Sequence, residues 1–201
     1  MTAALIIVDV QNDFLPGGAL AVPEGDKIIS GINQIMRKYD WVVATQDWHP
    51  ANHASFASSH PGKKQSETIM LGKSLQYLWP DHCVQATCGA ELSSELQKEN
   101  LHHVSRKGTL SSVDSYSGFF DNDRLNSTDL NTWLRNKGVS SVDICGLATD
   151  YCVKATVLDA LMLGYYTKLR INLCRGVNLN AGDDLAAISE MKKAGVEIIG
   201  G

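Results

Sequence analysis

The chain has 201 residues, of which 44% are hydrophobic and 20% charged, with a formal net charge of −4, a composition that suits one globular domain over residues 1–201. A mildly acidic chain with no basic run is a poor partner for nucleic acid or an anionic membrane, and no apolar stretch is long enough to span a bilayer. Five cysteines at irregular spacing suggest no disulfide framework, and the apolar start of the chain is cut off by Asp9 with no basic segment before it, so a cytoplasmic, reducing setting is expected.

Residues 4–8 form a continuous apolar run, as in a strand covered on both faces. Ile28, Ile32, Ile35, Met36 and Tyr39 then recur at helical spacing, and residues 41–45 predict a second buried strand. Residues 48–89 are polar and rich in His, Ser, Gly and Pro, without sustained periodicity; a connection of that length is usually functional or disordered. A short helix is expected over 92–99 and a third strand over 101–105. Residues 127–137 predict a helix with a capping residue at its start and Gly138 beyond its end. Residues 139–147 predict the fourth strand, followed by a helix that carries Cys152 in its first turn and stops at Gly164. A fifth strand over 165–173, a helix over 183–194 and a last strand over 196–199 complete the pattern. Such alternation calls for an α/β fold, a parallel sheet with helices on both faces, whose ligands bind beyond the carboxyl ends of the strands.

That rule sorts the reactive side chains. Asp9 follows the first strand, Asp47 and His49 the second, Lys107 the third and Cys152 the fourth, so all fall on one edge of the predicted sheet. A thiol in the first turn of a helix meets free N–H groups and partial positive charge, which favour a thiolate and can hold an oxyanion. Asp9 suits a general acid or base near the sulfur; partial burial would raise its pKa and Lys107 would oppose the rise. Asp47, His49 and His53, with His82 further on, suit a divalent transition metal with open positions. His60, His102 and His103 read as surface histidines or as residues that support the ligands from behind, and Cys145 and Cys174 as small buried hydrophobes. Cys83 and Cys88 near His82 lack the second pair that a zinc knuckle needs.

The segments LIIVDVQNDFLPGGALAVPEGD, ATQDWHPANHASFASSHPG, WPDHCVQ, KG, DSYSGFFDN and GLATDYCVKATVLDALMLGY, with CRGVN beyond, span most of the chain in order. Together they resemble the nicotinamidases (nicotinamide amidohydrolases, also called pyrazinamidases) of the isochorismatase-like hydrolase superfamily, and the bacterial branch most closely. The resemblance implies a doubly wound, mainly parallel six-stranded fold and hydrolysis of nicotinamide to nicotinic acid and ammonia through a cysteine thioester. It implies a triad of Cys152, Asp9 and Lys107, and metal ligands at Asp47, His49, His53 and His82 for zinc, or for iron or manganese. It suggests a cis peptide before Ala148, an oxyanion hole from the N–H groups of Ala148 and Cys152, and a ring pocket of Phe14, Trp79 and Tyr116. A Lys107→Ala chain is expected to fold but turn over poorly. Pyrazinamide is an expected second substrate, and a homo-oligomer is left open. Hydrolases of isochorismate or carbamoyl amines in the same superfamily, and a non-catalytic metal-binding module, remain alternatives. The stretch 170–174 departs from the family: Asn172 stands where an Asp is usual, and Lys168 and Arg170 put two cations on a strand predicted to be buried, which questions local packing more than chemistry.

Overall fold

A computed structural model describes residues 2–72 and 74–200. Its six-stranded sheet is built from β1 (Thr2–Val8), β2 (Trp41–Asp47), β5 (His103–Lys107), β6 (Val139–Leu147), β7 (Tyr166–Arg175) and β8 (Glu197–Ile199), in the order β5-β2-β1-β6-β7-β8. Every adjacent pair in that sheet is parallel. The helices are α1 (Ile29–Met36), α2 (Leu130–Asn136), α3 (Lys154–Met162) and α4 (Asp183–Lys193). The step from β1 to β2 runs one way across the sheet, and the steps through β6, β7 and β8 run the other way. Right-handed crossovers then put α1 on one face and α3 and α4 on the opposite face. The direction reverses between β1 and β6, and the crevice at that switch point is where such sheets bind ligands.

The centre of the sheet is apolar because its strands are covered on both faces: Ala4, Leu5, Ile6, Ile7 and Val8 are all fully buried. β1 and β6 run in register from Ala3↔Ser141 to Val8↔Gly146. Gly146 has φ +121°, and a Cβ there would lie 2.1 Å from the Val8 carbonyl oxygen, so only glycine lets the two strands close together at the end that carries the site.

β6 has the boundaries expected of it, and several other elements differ. No helix forms over 92–99; only a short 3-10 turn, Lys98–Asn100, appears. Its backbone is engaged elsewhere, with the Ser93 N–H donating to the Val10 carbonyl and the Gln97 N–H to the Asn33 side chain. Leu92 and Leu96 are buried from an irregular backbone, a case of tertiary contacts overriding periodicity. β5 lies two residues beyond its expected place, which makes Lys107 the strand's last residue, in register with Asp47. At the start of α2, Thr128 rather than Ser127 accepts a terminal N–H, that of Leu130. The segment 48–89 contains an unexpected antiparallel hairpin, β3 (Thr68–Leu71) with β4 (Ser74–Tyr77).

Lys168 and Arg170 are only half-buried, because β8 covers β7 over three residues. Lys168 lies 3.9 Å from Glu197. Arg170 pairs with Asp143 at 2.8 Å and donates to the Tyr39 hydroxyl at 2.7 Å. Asn172 is exposed. The two cations on this strand therefore have partners, and packing is not disturbed.

Gly146→Ala is expected to destabilise the chain by at least about 2 kcal/mol, read as the shift of its urea unfolding midpoint. An unchanged midpoint would contradict the close approach of β1 and β6.

Candidate active site

Lys107 ends β5 with its side chain fully buried. Its Nζ lies 2.6 Å from Asp47 Oδ1, 2.9 Å from Asp9 Oδ2, 2.9 Å from the Ser115 carbonyl and 3.3 Å from Cys152 Sγ. A carboxylate oxygen of Asp9, one of Asp47 and the Cys152 sulfur all lie within 4.8 Å of one another. Four strand ends thus deliver two carboxylates, an ammonium and a thiol to one buried point. The Lys107–Asp9 contact is an ion pair lying off the hydrogen-bond direction, so Asp9 Oδ2 is left short of a hydrogen bond. Asp9 Oδ1 accepts from the Thr45 hydroxyl at 2.6 Å, and Thr45 in turn accepts from the Asp9 N–H at 3.2 Å. Thr45 went unnoticed in the sequence, where it reads only as a β-former. Gln11, also missed, brackets the Asp47 peptide: it accepts from its N–H and donates to its carbonyl, both at 2.8 Å.

The protonation directions follow from this crowding. Burial pushes the Asp9 carboxyl up, and Lys107 opposes the rise without cancelling it. Burial disfavours ionised Asp47 as well, but Lys107 and His49 outweigh it and hold Asp47 well below the usual carboxylate range. Burial would depress Lys107, yet Asp47 and Asp9 reverse that and hold it firmly protonated. Cys152 differs from expectation. It sits in a π-type turn, Thr149–Val153, ahead of α3. Burial pushes its thiol well above the ordinary value; Lys107 opposes this, but Asp9 and Asp47 add to the rise. The helix end does not outweigh burial and the two carboxylates that face the same sulfur. The peptide before Ala148 is cis, and the Ala148 N–H donates to no acceptor among the described residues.

Asp47, His49 and His82 bring one ligand atom each to within 4.8 Å of the others. His49 Nδ1 donates to the Gly108 carbonyl at 2.9 Å and His82 Nδ1 to the Pro80 carbonyl at 2.8 Å. Both rings therefore turn Nε2 toward Asp47, at 3.6 Å and 4.0 Å. His49 Nε2 is buried with no hydrogen-bond partner. Burial and then His49 push His82 down to about 4, so it is neutral near pH 7 with a free lone pair. Burial works against protonated His49, but Asp47 raises it overall, so a cation would displace a proton there. Two imidazoles and a carboxylate with fixed tautomers and an orphaned nitrogen fit a divalent transition metal. Gly108 makes room for this: a Cβ on it would lie 2.4 Å from the His49 ring, and its φ is +64°. His53 does not join the set. Its Nε2 donates to the Val113 carbonyl at 3.2 Å, while Nδ1 faces the Ser55 hydroxyl at 2.7 Å and accepts from the Ser55 N–H. Both ring nitrogens are engaged, and His53 groups instead with His49 and Asp114.

A pocket opens onto this cluster, lined by Phe14, Trp79 and Tyr116 together with Asp47, His82, Ala148 and Cys152. Leu20, Asp114, Tyr151 and Val177 complete the wall. Tyr151 packs edge-on against Trp79 with ring centroids 4.9 Å apart. These four escaped the sequence reading although each lies within a conspicuous segment; adjacency to Cys152 was the available signal for Tyr151. Apolar walls with a few convergent polar groups suit a flat, mostly apolar ligand carrying one polar substituent.

The sequence pattern of the isochorismatase domain matches residues 3–201. The nicotinamidase of Escherichia coli (strain K12) is 48% identical over 202 residues, covering 97% of this chain and 93% of that protein. Among solved structures, the Acinetobacter baumanii nicotinamidase pyrazinamidease aligns with a TM-score of 0.95 at 44% identity, over 98% of this chain and 95% of the other. The pyrazinamidase of Pyrococcus horikoshii in complex with zinc aligns with a TM-score of 0.80 at 41% identity, over 99% of both chains.

With its thiol pKa raised, cation-free Cys152 is expected to react with iodoacetamide at a rate that is still climbing above pH 9. Asp9→Asn removes one of the opposing charges and should move that rise to lower pH. Peptide mass spectrometry across pH reads both; a plateau already reached by about pH 8 in the unsubstituted chain would contradict the assignment.

Proposed function

The chain belongs to the isochorismatase family, and from its likeness to nicotinamidases over nearly its whole length we infer its reaction: it is an amidohydrolase that converts nicotinamide to nicotinic acid and ammonia. We propose that Cys152, Asp9 and Lys107 carry the chemistry within one domain, and that pyrazinamide is a second substrate. The observation that carries the assignment is the buried Lys107 ammonium in contact with Asp9, Asp47 and the Cys152 sulfur.

The substrate ring lies among Phe14, Trp79, Tyr116 and Tyr151, which exclude water and direct the carboxamide toward Cys152. Asp9, with its raised pKa, is matched to take the thiol proton as the sulfur attacks the carbonyl carbon. The resting thiol is a poor nucleophile, so proton removal and attack are coupled rather than separated by a stored thiolate. The oxyanion rests on the N–H groups of Ala148 and Cys152, each worth about 3 kcal/mol. Asp9 returns its proton to the departing nitrogen, ammonia leaves and a thioester remains. Asp9 then takes a proton from water as it attacks the thioester, and the thiol is restored when nicotinic acid leaves. Lys107 stays protonated throughout and holds both carboxylates at their stations.

Asp47, His49 and His82 would hold a divalent cation, zinc by the donor set and by likeness to the zinc-bound relative. When bound, the cation supplies a Lewis-acidic contact for the ring nitrogen. A cytoplasmic setting is part of the proposal, supported by five free cysteines and by the absence of any membrane-length apolar helix among the described residues.

Asp9→Asn and Cys152→Ala are each expected to lower ammonia release from nicotinamide by about a thousandfold or more, and activity within about tenfold of the parent would reject the triad. Lys107→Ala is now expected to cost about 3–5 kcal/mol of stability, because it strands two buried carboxylates. Thermal unfolding at the parent's midpoint would show that Lys107 does not hold them. Elemental analysis of the purified chain should find about one divalent metal per chain; a metal-free preparation at full rate would remove the cation from the account.

A further inference from the structure

Asp114 is a buried carboxylate, 3% exposed, that the reaction sequence does not use. Its Oδ1 accepts from the Ser115 N–H at 2.8 Å and its Oδ2 from Gln76 Nε2 at 3.0 Å. Both partners are neutral, and among the described residues no lysine or arginine pairs with it. A buried charge is costly unless something of opposite sign lies near. Asp114 lines the same pocket as Asp47 and His82, and one of its oxygens lies within 4.8 Å of ring nitrogens of His49 and His53.

The formal charges in this volume do not balance. Counted with His49 neutral, as it must be to ligate, the described residues Asp9, Asp47 and Asp114 contribute three negative charges and Lys107 one positive, which leaves two negative charges buried. One divalent cation at Asp47, His49 and His82 cancels that excess. The unpartnered His49 Nε2 marks where the cation belongs. Asp114 is not among the three residues whose ligand atoms meet there, so its contribution to that site is charge rather than ligation.

We infer that Asp114 is a positioning residue for the cation, a third carboxylate that sets through its charge how tightly Asp47, His49 and His82 hold a divalent metal. The inference rests on the cation reading of those three residues. It also explains Gln76, the one buried residue among the described residues of a hairpin whose Met70 and Leu75 are exposed. Gln76 reaches inward to the Asp114 carboxylate and to the Tyr116 hydroxyl, both at 3.0 Å, and so ties the charge to the ring pocket.

The test is the Zn²⁺ dissociation constant of the purified chain, measured by competition with a chromophoric chelator, for the parent, Asp114→Asn and Gln76→Leu, with circular dichroism as the check on folding. Asp114→Asn is expected to bind Zn²⁺ about 10- to 100-fold more weakly. Gln76→Leu disturbs the same spot without changing its charge and is expected to stay close to the parent. Asp114→Ser carries the same comparison should the Asn variant not fold. Parent-like zinc affinity in the charge-removing variant overturns the inference, and so does a loss in Gln76→Leu as large as in Asp114→Asn, since packing would then explain both. A parent chain with no saturable zinc binding would overturn the cation reading itself, a distinct outcome.

Discussion

The buried ammonium of Lys107 is the constraint on which the site depends. A lysine out of reach of water is costly, and it is tolerated here because two carboxylates, a carbonyl and a sulfur converge on it. Each of those groups comes from a different segment: Asp9 follows β1, Asp47 ends β2, Ser115 lies on the loop after β5 and Cys152 follows β6. The ammonium and the sheet order are therefore mutually dependent. Moving β5 by one residue would turn Lys107 to the other face and leave Asp9 and Asp47 repelling each other in a dry pocket.

The same crowding sets the chemistry. Lys107 holds Asp47 ionised and ready for a cation, while Asp9, more weakly compensated, keeps a raised pKa. Two carboxylates a few ångströms apart are thereby given different tasks by their surroundings. The cost falls on the thiol, which burial and both carboxylates keep protonated at rest. In the mechanism proposed, such a site activates its sulfur only as a proton acceptor and an electrophile come together, which suits an amide, whose nitrogen must be protonated before it leaves.

Much of this was legible in the residue pattern, for physical reasons. A continuous apolar run marks a strand covered on both faces, so β1 was readable, and β6, apolar but for Ser140, Ser141 and Asp143, was readable to the residue. Placing the reactive side chains at strand ends needed only the rule that parallel sheets bind at their carboxyl edge. The illegible parts depend on tertiary partners. Leu92 and Leu96 imitate a helical face, but their backbone is captured by Val10 and Asn33. Lys168 and Arg170 looked misplaced because Asp143, Tyr39 and Glu197, far away in sequence, supply their partners. His53 has the spacing of a ligand, and only the positions of Val113 and Ser55 reveal that its nitrogens are engaged. Asp114 opens the quoted segment DSYSGFFDN but stands at no strand end; its meaning appears when the buried charges are summed. The acidity of Cys152 was misjudged because a local argument about a helix end omitted the burial of the sulfur and two carboxylates brought in by other strands.

The central claim is that the sulfur beside Lys107 and Asp9 becomes acylated. Acid quenching during turnover with nicotinamide, followed by peptide mass spectrometry, tests it most directly. The account predicts one added nicotinoyl group, confined to the peptide containing Cys152 and released by hydroxylamine. Steady turnover with no acylated peptide under conditions that trap thioesters, or a nicotinoyl group on a different residue, would contradict it.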